Sequence, residues 1–186
     1  MIKKPLFLLI LSFFAFMAVG CCPLTKLNVT IELDDALRQA YGTGTVQVDI
    51  VAVSPNDHQR WEAYPMTKYW ENGDPMRKSL SVKTLTLDVS KKEPQTLSAS
   101  DPVWANWLAG ANDKAPPKLY VLAQLRGTWD ASKDQLGDKD PRRQILPLGS
   151  CRWDSSLGSP PNIKLVVKLT GITTETQPKR DKAGSN

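Results

Sequence analysis

The sequence predicts a mainly β protein, an antiparallel β-sandwich with two short helices. Apolar residues alternate with polar ones in six segments, which is the period of half-buried strands, and a seventh or eighth strand is conceivable. The segments are joined by loops with proline and glycine, and the βαβ rhythm of parallel sheets does not occur. With 41% hydrophobic and 23% charged residues among 186, the composition suits one folded domain. Stacking two sheets is the simplest way for such strands to bury their apolar faces.

The first two strands are predicted at Leu27–Leu33 and Val46–Val53. The first alternates regularly and is expected to be buried on one face only. The second carries apolar residues on both faces, which indicates a central position in its sheet. Between them, Asp34–Thr45 is interpreted as a loop that holds at most one helical turn.

The two helices are predicted after turn-forming residues. One covers His58–Tyr64, where Pro65 interrupts it, and Met66–Trp70 can resume it. The other begins after Asp101, a helix-capping residue followed by proline, and ends near Gly110.

The remaining strands follow the same alternation. Pro147 lacks a backbone N–H and therefore indicates an edge position for its strand. The domain is expected to span residues 27–174, followed by a disordered tail at 175–186. The four remaining strands that this alternation predicts are Val82–Val89, Leu119–Leu125, Gln144–Leu148 and Ile163–Leu169.

The N-terminus has the layout of an export signal. Two lysines precede the apolar run Leu6–Val19, which is too short and wrongly flanked for a stable membrane-spanning helix. An uncleaved membrane anchor is the alternative. The end of the run, Ala18-Val19-Gly20-Cys21, resembles a bacterial lipobox. That resemblance implies cleavage after Gly20, a lipid on Cys21 and a lipidated tether at 21–26. One acyl chain alone binds membranes only marginally, so stable anchoring needs more than one.

Two further cysteines, Cys22 and Cys151, would remain in the exported chain. A disulfide between them is possible in an oxidising compartment. The alternative is that Cys22 lies in the tether while Cys151 packs alone. We favour the alternative because the sequence carries no information on their geometry.

The composition argues against an enzyme. His58 is the only histidine, and it has no recognisable catalytic partners. Cys151 is not flanked by the glycines of a nucleophile elbow. The carboxylate pairs Asp34-Asp35 and Asp138/Asp140 are interpreted as solvated loops, because a calcium site needs more oxygen ligands at set spacings. We expect no cofactor, no metal and, given scattered basic residues and export, no nucleic acid.

An aromatic segment at 61–70 allows two interpretations. Trp61, Tyr64, Tyr69 and Trp70 could form a stacking platform for a sugar or a peptide. Aromatic residues at helical spacing are more often packing residues, so we favour their covering one end of the sandwich. The first interpretation keeps open a sugar- or peptidoglycan-binding envelope lipoprotein.

The order of these features resembles the outer-membrane lipoproteins of type VI secretion systems, the TssJ (VasD/SciN) family. The similarity covers roughly residues 21–174 as a pattern rather than as identities. The segments that carry it are the lipobox at Cys21, the strand Leu27–Leu33, the apolar strand Val46–Val53, Leu119–Arg126, Arg142–Leu148 and the last strand Ile163–Leu169.

The resemblance implies a small transthyretin-like sandwich without catalysis. The protein would be lipid-anchored at the periplasmic face of the bacterial outer membrane and would tether a trans-envelope secretion complex. Its partner would be the periplasmic domain of an inner-membrane secretion protein (TssM-like). The family's partner-binding loop corresponds to residues 34–45, where Asp35, Leu37 and Tyr41 are the expected contacts.

Overall fold

The computed structural model describes residues 24–111, 116–126, 134–149, 152–153 and 159–179. The predicted signal peptide, Cys21, Cys22 and Cys151 lie outside the described residues. The same holds for the end of the predicted tail, residues 180–186.

The predicted β-sandwich is confirmed. Two four-stranded sheets have the orders β4-β1-β7-β8 and β3-β2-β5-β6. The described strands pair antiparallel with one exception, since β1 and β7 run parallel in the first sheet. The strands are β1 Asn28–Leu33, β2 Thr45–Val53, β3 Lys83–Asp88, β4 Gln95–Leu97, β5 Lys118–Ala123, β6 Arg143–Pro147, β7 Asn162–Lys168 and β8 Gly171–Thr174.

All described helices are short, as predicted, but they outnumber the two that were expected. None of them is long and apolar enough to cross a bilayer. The helix after Asp101 forms as expected, because the Asp101 carboxylate accepts a hydrogen bond from the Val103 N–H at 3.0 Å. The α-helices are α1 Asp35–Tyr41, α2 His58–Glu62, α3 Met66–Tyr69, α4 Pro75–Lys78 and α5 Val103–Leu108, with 3-10 turns at Pro55–Asp57 and Gly137–Lys139.

Strand β2 separates two hydrophobic clusters. Val48 and Ile50 face the main core between the sheets. Val51 and Val53 belong to a second cluster, in which Trp61, a residue of α2, is buried. The predicted central position of this strand is therefore confirmed, because β3 and β5 flank it and apolar side chains cover both faces.

The two sheets are linked at one side by the start of β8. The Ile172 N–H donates to the carbonyl oxygen of Pro141 at 2.7 Å. Gly171 has φ of 139°, and a Cβ at this position would lie 2.2 Å from the same carbonyl oxygen. Only glycine fits this close approach. Strand β6, which contains Pro147, is an edge strand as predicted.

The two ends of the sandwich differ in what they carry. Helix α1 connects the end of β1 to the start of β2 and so defines the α1 end. At the other end, Leu24 pairs with Gly149, just after β6, and the Thr25 N–H donates to the Leu148 oxygen. Strand β2 ends at this second end, since its register continues through β5 to Pro147. A nine-residue strand separates the ends by about 26 Å, at roughly 3.3 Å per step.

Candidate functional site

The segment predicted as a loop between the first two strands is a capped helix, α1. The Asp34 carboxylate accepts hydrogen bonds from the N–H groups of Ala36 (2.9 Å) and Leu37 (3.3 Å). At the other end the Gly42 N–H donates to the Arg38 oxygen, and Gly42 adopts a φ of 64°. Asp35 in the first turn also suits the positive end of the helix. Together these contacts give the connection a defined shape.

Two buried residues hold α1 on the sandwich. Leu37 has no accessible surface and packs in the main core. The Arg38 guanidinium is buried and donates to three backbone oxygens, those of Leu33, Asp88 and Val89, at 3.1 to 3.5 Å. Because these oxygens belong to the ends of both sheets, Arg38 fixes α1 relative to both.

The last residue of α1 is clasped by the chain that follows β5. The Arg126 N–H donates to the Tyr41 hydroxyl at 2.5 Å, and the same hydroxyl donates to the Arg126 oxygen at 3.3 Å. The guanidinium of Arg126 lies over the Tyr41 ring, 5.5 Å from its centroid. It also approaches Gly44 so closely that a Cβ there would meet it at 2.5 Å. The turn at 42–44 is therefore packed against a second element.

An exposed ion pair joins α1 to the connection between β3 and β4. The Lys92 ammonium lies 3.1 Å from the Asp35 carboxylate, and both side chains are well exposed. Such a pair contributes little stability, so both groups are available to a partner at small cost. We call the half-buried Tyr41 and the exposed residues Asp35, Gln39, Ala40, Lys92 and Arg126 the α1 surface.

The three residues predicted for partner binding do not share one environment. Asp35 is exposed and Tyr41 is half-buried, and both belong to the α1 surface. Leu37 points into the core, so in this conformation it acts by holding the helix in place. Sequence patterns did not identify Arg38, Lys92 or Arg126, because their relation to α1 depends on distant elements.

The aromatic segment mostly packs on the outer face of the second sheet. Trp61 and Tyr69 are 2% and 1% exposed, and Trp61 contacts Tyr69 and Tyr120 with ring centroids 5.9 and 5.7 Å apart. Tyr64 and Trp70 are half-buried. Burial, together with the hydrogen bond from its hydroxyl to Asp74, raises the pKa of Tyr64 to about 12. Ligand stacking stays a prediction, with Trp70 and Tyr64 as the accessible rings.

A buried carboxylate holds this aromatic layer to the sheet. Asp49, in the middle of β2, has no accessible surface. It accepts hydrogen bonds from the Tyr69 hydroxyl (3.0 Å), the Thr84 hydroxyl (2.6 Å) and the Arg77 Nε (2.6 Å). The Arg77 guanidinium in turn lies 4.6 Å from the ring centroid of Trp70. An acidic residue within an apolar strand was the sequence signal for this network.

The interpretation of Asp138 and Asp140 as a solvated pair is wrong for Asp140. Asp140 is fully buried, and both its oxygens accept hydrogen bonds from Arg142 at 2.9 and 2.6 Å. The Arg142 guanidinium also contacts Asp134, which accepts from the Thr67 hydroxyl at 2.8 Å. Burial alone would raise the pKa of Asp134, but the hydrogen bonds from Arg142 and Thr67 lower it below its ordinary value. This group joins the start of β6 to α3.

His58 makes a structural contact. Its Nε2 lies 2.9 Å from the Val53 oxygen, and partial burial lowers its pKa below the ordinary value. Within the described residues, no group of three or more His, Cys, Asp or Glu side chains is arranged to hold a metal ion.

A polar groove of about 610 Å³ lies beside this network, on the outer face of the second sheet. Its walls come from the connection between α3 and α4, from α4 itself, and from β3 and the residue after β5. A smaller depression of about 380 Å³ lies near the Leu24 end and is lined in part by Ser54, Asn106 and Trp107.

No protein-family model matches the sequence, and no curated protein matches it. Solved structures do match the fold. The Serratia marcescens protein Lip, a membrane-bound component of the type VI secretion system, is 13% identical with a TM-score of 0.48, covering 83% of this chain and 99% of that one. The type VI lipoprotein TssJ1 from Pseudomonas aeruginosa is 14% identical with a TM-score of 0.48, covering 85% of this chain and 100% of that one.

The C-terminal domain of the type VI protein TssM from EAEC also matches. It is 14% identical with a TM-score of 0.48, and the alignment covers 80% of this chain and 98% of that domain. Each of these three alignments covers at least 80% of this chain. The similarity concerns the sandwich as a whole, and the roles of individual side chains depend on their own contacts.

Proposed function

We propose that this protein is a lipid-anchored periplasmic adaptor of a type VI secretion complex. Cys21 carries the lipid and anchors the domain to the outer membrane. The α1 surface binds the periplasmic domain of an inner-membrane component of the same complex. The domain acts as a tether and needs no catalytic group or cofactor.

The separation of the two ends is the observation that carries this proposal. Leu24 is held to Gly149 at one end of the sandwich. Cys21 is three residues earlier, and the chain between the two residues can span at most about 11 Å, since an extended chain covers at most about 3.6 Å per residue. The anchored domain therefore stands with its Leu24 end at the membrane, and α1 at the opposite end extends into the periplasm.

The α1 surface has the order that a binding surface requires. A capped helix with two buried anchors, Leu37 and Arg38, holds its exposed residues in fixed positions. The clasp between Tyr41 and Arg126 restrains the turn that follows. Binding to such a surface costs little conformational entropy, so a modest contact area is sufficient for affinity. Charges of both signs, on Asp35, Lys92 and Arg126, provide specificity for a complementary partner.

The proposal is tested by calorimetric binding of residues 22–186 to the periplasmic domain of the inner-membrane secretion protein of the same organism. Because Leu37 and Arg38 are buried, deleting α1 would damage the core, and the test uses exposed positions instead. We expect Asp35→Lys and Ala40→Arg each to weaken binding at least tenfold, because charge reversal and added bulk oppose docking at the centre of an interface.

Controls place the same kinds of change at the opposite end. Ser54→Lys and Asn106→Arg lie in exposed positions near the Leu24 end and should leave the affinity unchanged. Circular dichroism and urea unfolding establish that all four variants are folded. Equal loss of binding in both sets, or unchanged binding in the α1 set, would contradict the proposal.

A further inference from the structure

The groove beside Trp70 has the size and rigidity of a ligand site. Its volume of about 610 Å³ is within the range of 300 to 1,000 Å³ typical of small-molecule sites. Trp70 lines the groove and is held by two neighbours: its ring is nearly perpendicular to that of Tyr69, with centroids 5.2 Å apart, and the Arg77 guanidinium lies 4.6 Å from its centroid. Arg77 is itself held by Asp49 and by the Gln47 side chain. The wall is therefore formed before any ligand arrives.

The groove combines an aromatic wall with uncharged polar groups from separate elements. Asn72 lies on the connection between α3 and α4, and Gln124 follows β5. Each side-chain amide offers donors and acceptors together, which suits a ligand whose hydroxyl and amide groups also do both. Neither amide has a hydrogen-bond partner among the described residues. The aromatic ring meanwhile suits the apolar face of a sugar ring.

Charges around the groove argue against an anionic ligand. Glu71 and Asp74 line it, and the buried Asp49 lies behind Arg77. The cations are Arg77 and Lys78, so the lining carries two groups of each sign, and the buried Asp49 adds a third carboxylate nearby. Arg77 is already paired with Asp49, and Asp74 accepts from the Tyr64 hydroxyl. The net field therefore does not favour a phosphate, a nucleic acid or an acidic peptide, and the remaining polar groups fit a neutral ligand.

We propose that this groove binds a neutral saccharide, with Trp70 as the apolar wall and Asn72 and Gln124 as the hydrogen-bonding groups. The site lies on the side of the second sheet and shares no residue with the α1 surface. It adds a second contact, to glycan, that does not depend on the adaptor role.

The test is titration of residues 22–186 with chitotetraose, a neutral oligomer of N-acetylglucosamine, followed by tryptophan fluorescence and calorimetry. We expect saturable binding below about 10 mM, with a fluorescence change that Trp70→Phe removes. Asn72→Ala and Gln124→Ala should each weaken binding about three- to tenfold, the effect of one lost hydrogen bond. Cellotetraose, which lacks the N-acetyl groups, tests how much the amides of the sugar contribute.

Two controls separate this site from other surfaces. Asn106→Ala changes a similar amide in the other depression and should leave the affinity as it is. Asp35→Lys should also bind chitotetraose normally, so loss of the adaptor contact and loss of the glycan contact remain distinguishable. The proposal is overturned if neither oligosaccharide binds saturably, or if Asn72→Ala and Gln124→Ala, both folded, bind as tightly as the unchanged protein.

Discussion

Replacing Arg77 by methionine tests whether the aromatic layer is held to the sheet by one buried ion pair. The substitution keeps the long apolar stem but leaves Asp49, which has no accessible surface, without its cation. Breaking a buried pair from one side costs about 3–5 kcal/mol. The Tyr69 and Thr84 hydroxyls still donate to the carboxylate, so we expect a value near the lower limit, about 3 kcal/mol.

The converse change, Asp49→Ala, should cost about as much for a different reason. It leaves the Tyr69 hydroxyl buried without an acceptor, while Arg77, whose side chain is 30% exposed, can turn to solvent. The double variant should then be less destabilised than the sum of the two, because the second change removes a group that the first left unpaired.

Urea unfolding measures all three variants. With a slope near 2 kcal/mol per molar urea, a loss of about 3 kcal/mol lowers the midpoint by about 1.5 M. Thr84→Val is a matched control that removes one donor and should cost about 1 kcal/mol. If Arg77→Met lowers stability by less than 1 kcal/mol, or if the double variant is additive, Asp49 and Arg77 do not act as a coupled buried pair.

Three further changes test other parts of the structure. Gly171→Ala should destabilise the domain by more than about 2 kcal/mol in thermal unfolding, because a Cβ would collide with the Pro141 carbonyl; a loss below 0.5 kcal/mol would contradict that contact. Burial lowers the pKa of His58, so below its ordinary value near 6.5 the unfolded chain binds a proton that the folded chain does not, and stability falls as pH falls. The urea midpoint of His58→Gln should therefore change less between pH 7.5 and pH 5 than that of the unchanged protein. An equal pH dependence of the two midpoints would refute this. Tyr41→Phe should speed proteolysis at residues 42–44 while the free energy of unfolding changes by no more than about 1 kcal/mol, since only the clasp to Arg126 is lost; unchanged cleavage would argue against the clasp.

Local patterns were sufficient to predict the longer strands. Val46–Val53 carries apolar residues on both faces, and that pattern correctly indicated a central strand covered on both sides. The alternation of apolar and polar residues did not predict β4, a three-residue strand in which Gln95 and Thr96 are exposed. It also failed for β8, where the burial pattern has no alternation. Such short edge strands form because neighbouring strands supply hydrogen-bond partners, and a single segment does not contain that information.

The candidate site was less predictable, since its geometry depends on long-range contacts. Charged residues look solvated in a sequence, yet Asp140 and Arg142 form a buried pair, and Arg38 is buried against backbone oxygens from both sheets. Arg126 reaches Tyr41 from 85 residues away. Residues 34–45 were identified as the segment of interest through the family resemblance, and their helical form follows from the Asp34 cap.

Site-specific photocrosslinking in cells tests the adaptor proposal most directly. A benzoylphenylalanine residue replaces Gln39, an exposed residue of α1, or Ser54 at the opposite end, in the full-length lipoprotein. If the anchored domain presents α1 to the periplasm, position 39 crosslinks to the inner-membrane secretion protein and position 54 does not. A crosslink to that protein from position 54 alone, or from neither position in a strain with an active secretion system, would contradict the account.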